Sequence, residues 1–98
     1  MKNLQIVGNL GQDAKLINNQ FLSFNVAVST YVGKDNQGNA KYHTDWIEVN
    51  SNNKSLEQHL KKGKKIFVSG TPKFSTYTDK DGNLHSKVNL YAQNITLC

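Results

Sequence analysis

Hydrophobic residues recur at every second position through most of this chain, in runs bounded by glycine, asparagine and aspartate. Successive side chains of a β-strand point to opposite faces, so this alternation indicates strands with one buried face. In the second run, Leu22, Phe24, Val26 and Val28 alternate with small or polar residues. The chain is therefore predicted to be largely antiparallel β-structure with a single apolar core.

Five strands are expected from these runs. Gly11 marks a bend in the first strand, which residues 14–17 are expected to continue. Pro72 cannot donate a backbone hydrogen bond, so it predicts an edge or a bulge in the fourth strand. Ile95 and Leu97 suggest a final apolar stretch. The five predicted strands are residues 2–10, 21–32, 41–50, 65–78 and 84–92.

Polar segments predict the connections between these strands. Residues 33–40 and 79–83 are expected to be hairpin loops, because both are rich in Asp, Asn and Gly. Residues 54–62 predict one short helix, since Leu56 and Leu60 lie four apart and share a face. Three strands, a helix and two strands are typical of a five-stranded Greek-key OB-fold barrel, although the pattern also allows another small antiparallel barrel.

The length of 98 residues suits one domain with one core, here residues 1–98. All 12 basic residues are lysine, and the net charge of +5 favours a polyanionic partner. Arginine is the usual reader of guanine edges, whereas lysine is a point charge suited to phosphate. A nucleic-acid partner would therefore be held by its backbone, with little reading of sequence.

Several other classes of function are not indicated. No run approaches the roughly 18 apolar residues of a membrane span, and Met1 leads into a strand pattern rather than a signal peptide, so a cytoplasmic location is expected. The three histidines lack metal-ligand spacing, and the acidic loop at Asp79 and Asp81 has Leu90 where a calcium loop needs glutamate. We expect no metal, no cofactor, no membrane partner and no enzymatic activity.

Two aromatic residues are candidates for stacking on nucleic-acid bases. The alternation places Trp46 among polar neighbours, and Tyr77 lies at the rim of the second hairpin. Alternatively, Trp46 is half-buried against a loop and Tyr77 clamps its turn. Five lysines near the two hairpins are candidate phosphate contacts, with ordinary solvated positions as the alternative: Lys34, Lys41, Lys73, Lys80 and Lys87.

An ordered set of motifs resembles the bacterial single-stranded DNA-binding proteins. Thr44-Asp45-Trp46 is similar to the family's Thr-Glu-Trp element, and Tyr77-Thr78-Asp79 is similar to its Trp-Thr-Asp hairpin. The other matching segments are residues 6–13, 24–29 and 60–70. The resemblance implies an OB-fold that binds single strands without strong sequence preference, usually as a homodimer or homotetramer.

The resemblance also assigns roles to individual residues. It implies that Trp46 and Tyr77 stack on bases and that Lys73 is the basic position preceding Tyr77 on its strand. A further stacking position of the family falls on Val32, where the adjacent Tyr31 could substitute. Glu48 stands where the family has arginine, which places an acid on the expected binding face. Fewer rings and the absence of arginine predict weaker binding than in typical members of the family.

The resemblance further implies a role in protecting single-stranded DNA during replication, recombination or repair, with RNA left open as a ligand. Family members usually end in an acidic-tipped tail, and the sequence stops at Cys98 without one. Recruitment of other proteins through such a tail is therefore not expected. Two alternatives remain at this point: a primosomal accessory protein acting mainly through protein contacts, and an OB-fold interaction domain without nucleic-acid binding.

Overall fold

The computed structural model describes residues 2–98, in which six strands form one sheet that closes on itself. The sheet order is β1-β5-β6-β4-β3-β2, and an additional pairing of β1 with β3 closes the barrel. β2 continues β1 after the bend and pairs with the same neighbour, so the barrel has the five-stranded OB-fold topology and that prediction is confirmed. The strands are β1 (Leu4–Leu10), β2 (Lys15–Ile17), β3 (Phe21–Lys34), β4 (Ala40–Ser51), β5 (Lys65–Thr78) and β6 (Leu84–Leu97).

The core fills the barrel and is built from the inward rows that the alternation predicts. Where β1 crosses β3, Gly8 allows a close approach, because a Cβ there would collide with the carbonyl oxygen of Ala27. Full burial of these side chains supplies the main stabilisation, at about 1.5–3 kcal/mol for each large aliphatic residue. The large buried residues are Ile6, Leu10, Leu22, Phe24, Val26, Val49, Leu60, Ile66, Val68 and Leu90.

The helix predicted for residues 54–62 is wrong. The structure has a single 3₁₀ turn, Lys54–Leu56, followed by irregular turns. The N–H of Lys62 would bond within an α-helix, but it donates to Asp13 Oδ1 at 2.7 Å, and the carbonyl of Leu60 accepts from the N–H of the residue after Asp13. The contact of Lys62 with the β1–β2 bend thus takes one N–H that a helix would use, whereas the Leu60 carbonyl would have no partner within a helix that ends at residue 62. Leu60 is nevertheless fully buried and belongs to the core.

β1 begins at Leu4, two residues later than predicted, and its last pair with β5 is Leu4 with Gly70. Beyond Gly70, β5 has only β6 as a neighbour. Pro72 lies in this part of the strand, where its missing N–H interrupts no ladder with β1. The edge position predicted for Pro72 is therefore confirmed.

β6 is longer than predicted and runs to Leu97 rather than ending at residue 92. A β-bulge leaves Gln93 without a partner on β5, and the extra residue reverses the alternation of the strand. Leu90 is buried before the bulge, and Ile95 packs against the same core after it. The predicted final apolar stretch is the end of this one strand.

The two hairpins carry the same five-residue turn, Asp-x-x-Gly-Asn, at residues 35–39 and 79–83. In each turn an Oδ1 of the first aspartate accepts the backbone N–H groups of the third and fifth residues at 2.9 Å. The fourth residue has positive φ, 83° at Gly38 and 82° at Gly82, which favours glycine. The backbone N–H of Asn39, followed by that of Gln37, holds the pKa of Asp35 below its ordinary value.

Candidate nucleic-acid interface

Both hairpins extend beyond the core and leave a groove between them. No residue is buried between Val28 and Val49 on the first hairpin, or between Pro72 and Leu90 on the second. β4 and β6 pair only over three residues, starting at Glu48, and the groove opens where that pairing stops. The groove has a volume of about 1030 Å³, and its walls include Trp46, Ile47, Phe74, Tyr77, Lys87 and Val88.

Trp46 lies on the wall formed by β4, with 61% of its surface exposed. The benzene end of the indole rests on Gly11, where an added Cβ would lie only 2.5 Å from Trp46 Cζ3. The alternative interpretation, in which Trp46 is half-buried against a loop, is therefore correct about the contact with the loop but wrong about the burial of the indole. An indole supported at one end and open over the rest of its surface can receive a stacked ring.

Tyr77 lies on β5, directly opposite His85 on β6. The two rings are stacked, with centroids 5.1 Å apart and planes 19° from parallel. His85 Nε2 donates to Asp79 Oδ2 at 2.6 Å, and this hydrogen bond, with that from the N–H of Asn83, lowers the pKa of Asp79 below 3.8. His85 thus packs against Tyr77 and links it to the turn.

Lys73 and Lys87 lie on the same face of the second hairpin as Tyr77, because they occupy alternate positions opposite Asn89 and Ser75. Lys87 is not an isolated charge, since its Nζ lies 3.7 Å from Glu48 Oε1. Asn89 Nδ2 also donates to the Glu48 carboxylate. The acid that the sequence places on this face therefore offsets Lys87, the one lysine in the described part of the chain that lines the groove, and a second acid, Asp45, is itself a lining residue.

The remaining predicted site residues lie along the first hairpin and at the two tips. Tyr31 is exposed and meets Tyr42 edge to face, with centroids 5.9 Å apart and planes at 71°. Tyr42 points to the same face of β4 as Trp46 and lies directly opposite Tyr31 on β3. This cross-strand position is the feature that indicates a pair of aromatic rings. The lysines at the tips are exposed but do not line the groove: Lys34, Lys41 and Lys80.

Phe74 is a groove residue that the sequence did not identify. The alternation assigns it to the core row of Ile66, Val68 and Gly70, but its side chain is 63% exposed. Phe74 does point to the same face of β5 as those core residues. The prediction of burial is wrong because β5 extends beyond the barrel after Pro72, so this face no longer meets the core. Val88 lies directly opposite Phe74 on β6 and is a second apolar residue on the same face of the hairpin. This pair is the feature that indicates an apolar surface there.

Metal and membrane features can be assessed for residues 2–98. Within this range no three His, Cys, Asp or Glu side chains gather closely enough to hold a metal ion. The helical residues of the same range are too few and too polar to cross a bilayer.

The closed barrel and its two projecting hairpins define a small OB-fold protein with a groove lined, within residues 2–98, by aromatic residues and by one residue of each charge, Lys87 and Asp45. OB-folds as a class bind oligonucleotides or oligosaccharides on such surfaces. The model of the single-strand binding protein family matches residues 1–98, and the chain belongs to this family. The family resemblance found in the motifs is thus confirmed over the whole chain.

Individual relatives agree with this assignment. A single-stranded DNA-binding protein of Borreliella burgdorferi is 27% identical over 103 residues, covering 99% of this chain and 69% of the relative. Single-stranded DNA-binding protein 1 of Xylella fastidiosa is 30% identical over 105 residues, covering 99% and 76%. In fold, the crystal structure of a small single-stranded DNA-binding protein from Streptomyces coelicolor matches 98% of this chain and 93% of its own, with a TM-score of 0.75 and 19% identity.

Proposed function

We propose that this protein binds single-stranded DNA without strong sequence preference, and that bases stack on Trp46 and Tyr77 while lysines neutralise phosphates. The observation that carries the proposal is the indole of Trp46, which is 61% exposed on the wall of a groove that also holds Tyr77 and Lys87. The names of the family and of its relatives point to the same ligand.

Stacking explains how the groove can accept any base. Every base has a π-face, and base–aromatic stacking contributes about 1–3 kcal/mol per base by alanine substitution. Trp46 is positioned by Gly11, and Tyr77 is positioned by His85, so both rings are held before a ligand arrives. Ordering the rings in advance lowers the entropic cost of binding.

Lysines supply the second part of the interaction. Lys87 lines the groove and Lys73 lies on the same face of the second hairpin. Lys34, Lys41 and Lys80 lie at the hairpin tips, and Tyr31 is a further ring on the first hairpin. An ammonium group contacts phosphate as a point charge and carries no sequence information by itself. With no arginine in the chain, the expected binding is salt-sensitive and largely independent of sequence.

The biological role that fits this activity is coating and protecting single-stranded DNA during replication, recombination or repair. We further propose that residues 1–98 act as one domain, that the protein has no catalytic activity, that it works in the cytoplasm, and that it assembles as a homodimer or homotetramer. Sedimentation of the protein with and without oligo-dT measures the assembly, and a monomer in both samples would contradict it.

The main test is a titration with fluorescein-labelled oligo-dT at low salt, followed by anisotropy and by the emission of Trp46. We expect quenched emission, and log K falling against log salt with a slope of about −0.7 per neutralised phosphate. Trp46→Ala should weaken binding about 5- to 150-fold, which corresponds to the loss of one stacked base.

Tyr91→Ala is the matched control, because Tyr91 is an exposed aromatic of β6 that lies outside the groove, beside Phe21. This variant should bind oligo-dT as the wild type does. Urea unfolding of both variants separates stacking from folding. Unchanged emission together with an absence of binding at low salt would overturn the proposed function.

A further inference from the structure

Phe74 is an exposed aromatic residue in a regular strand, where neither the core nor a turn accounts for it. Its phenyl group is 63% exposed, and the core-facing row of β5 ends two residues earlier, at Pro72. Keeping a large apolar side chain in water forgoes the free energy of its burial. A ring in such a position is therefore a candidate contact for a ligand.

The surroundings of Phe74 point into the groove. Its cross-strand partner Val88 and the β4 residue Ile47 belong to the same groove walls. These walls are also lined by the polar residues Asp45 and Ser86. Trp46 from the first hairpin and Tyr77 from the second line the same volume. Rings contributed by both hairpins thus border one space of about 1030 Å³.

Leu84 shows that this arrangement is not a general apolar coating of the hairpin. It lies on the same face of the second hairpin as Phe74 and is 72% exposed, yet it does not line the groove. Lys87, by contrast, is a groove residue and stands beside the partner of Phe74. The groove lining therefore includes a third ring, Phe74, and a lysine, Lys87, although the alternation of the strands places the two side chains on opposite faces of the second hairpin.

We propose that Phe74 is a third stacking residue and receives the flat face of an unpaired base, an inference that rests on the proposed binding of single-stranded DNA. The base enters between the hairpins and packs against the phenyl ring, in the groove that Trp46 and Ile47 line from the first hairpin. Because the contact uses the π-face, it is expected for all four bases.

The test compares Phe74→Ala with Leu84→Ala, which removes an equally exposed apolar group outside the groove. Affinities are measured by anisotropy with labelled oligo-dT and with an abasic strand of the same length. We expect Phe74→Ala to weaken oligo-dT binding about 5- to 150-fold. On the abasic strand the same variant should match the wild type, and Leu84→Ala should match it on both strands.

Two further variants, Phe74→Leu and Phe74→Trp, separate a loss of stacking from a loss of folding. The leucine variant keeps an apolar side chain and should fold but bind oligo-dT weakly, whereas tryptophan should restore binding. Wild-type affinity in Phe74→Leu, an equal loss on the abasic strand, or altered sedimentation of free Phe74→Ala would overturn the role of the ring. If the wild type binds neither strand, the proposed function itself fails, so the two failures are distinguishable.

Discussion

Glu48 stands at the point where β4 and β6 meet, and its carboxylate contacts both Lys87 and Asn89. The pair is partly exposed, so its contribution to stability is small, at about 0–1 kcal/mol. On the proposed function its effect on the ligand matters more, because the carboxylate repels phosphate and pairs with Lys87, a lysine that lines the groove.

Glu48→Gln should therefore tighten the binding of oligo-dT several-fold at low salt. The slope of log K against log salt should steepen by about 0.7, the value for one more neutralised phosphate on a single strand. Glu57→Gln makes the same change in net charge outside the groove and serves as the control. Equal effects of the two substitutions would show that net charge alone is responsible.

Single residues also show where inference from sequence stops. The exposure of Trp46 follows from the alternation of β4, since its neighbours in that row are polar. The exposure of Phe74 does not follow, because periodicity gives the face of a residue but not the point at which the strand leaves the core. His85 required the cross-strand register, which fixes its partner as Tyr77.

Among the structural elements, the hairpins were the most predictable. Their strands follow from period-two rows, and their turns follow from Asp, Asn and Gly at fixed offsets. The failure at residues 54–62 has a long-range cause, since Asp13 takes a backbone N–H that a local pattern assigns to a helix. The bulge at Gln93 likewise depends on how β6 meets β5, which only the pairing reveals.

The turn of the second hairpin gives a prediction about pH. Asp79 has a lowered pKa in the folded protein, so its charge stabilises the fold above the unfolded value of about 3.9, and this contribution is lost as the pH falls through the folded value. Asp79→Asn keeps an acceptor oxygen but removes the charge. The variant should be less stable than the wild type at pH 7, and the difference should shrink below pH 4.

Urea unfolding midpoints at pH 7 and pH 3 check this prediction. Asp81→Asn is the control, because the carboxylate of Asp79, not that of Asp81, accepts the hydrogen bonds of the turn. A stability difference for Asp79→Asn that stays constant down to pH 3 would contradict the assigned role of the charge.

For the whole molecule, the net charge of +5 and the placement of lysines at both hairpin tips describe a surface that attracts a polyanion from a distance. The barrel contributes rigidity, since its core side chains are buried, and on the proposed function the hairpins supply the contacts with the ligand. Membership of the single-strand binding protein family agrees with this division between scaffold and binding surface.

The brief pairing of β4 with β6 has a topological consequence. The two hairpins are joined at their base by three residue pairs and end in separate turns, so they flank a ligand without encircling it. A strand can thus be admitted sideways and needs no free end to thread. Covalently closed circular single-stranded DNA should accordingly bind as tightly per nucleotide as the linear form cut from it, in side-by-side retardation assays; a preference for the linear form would indicate threading instead.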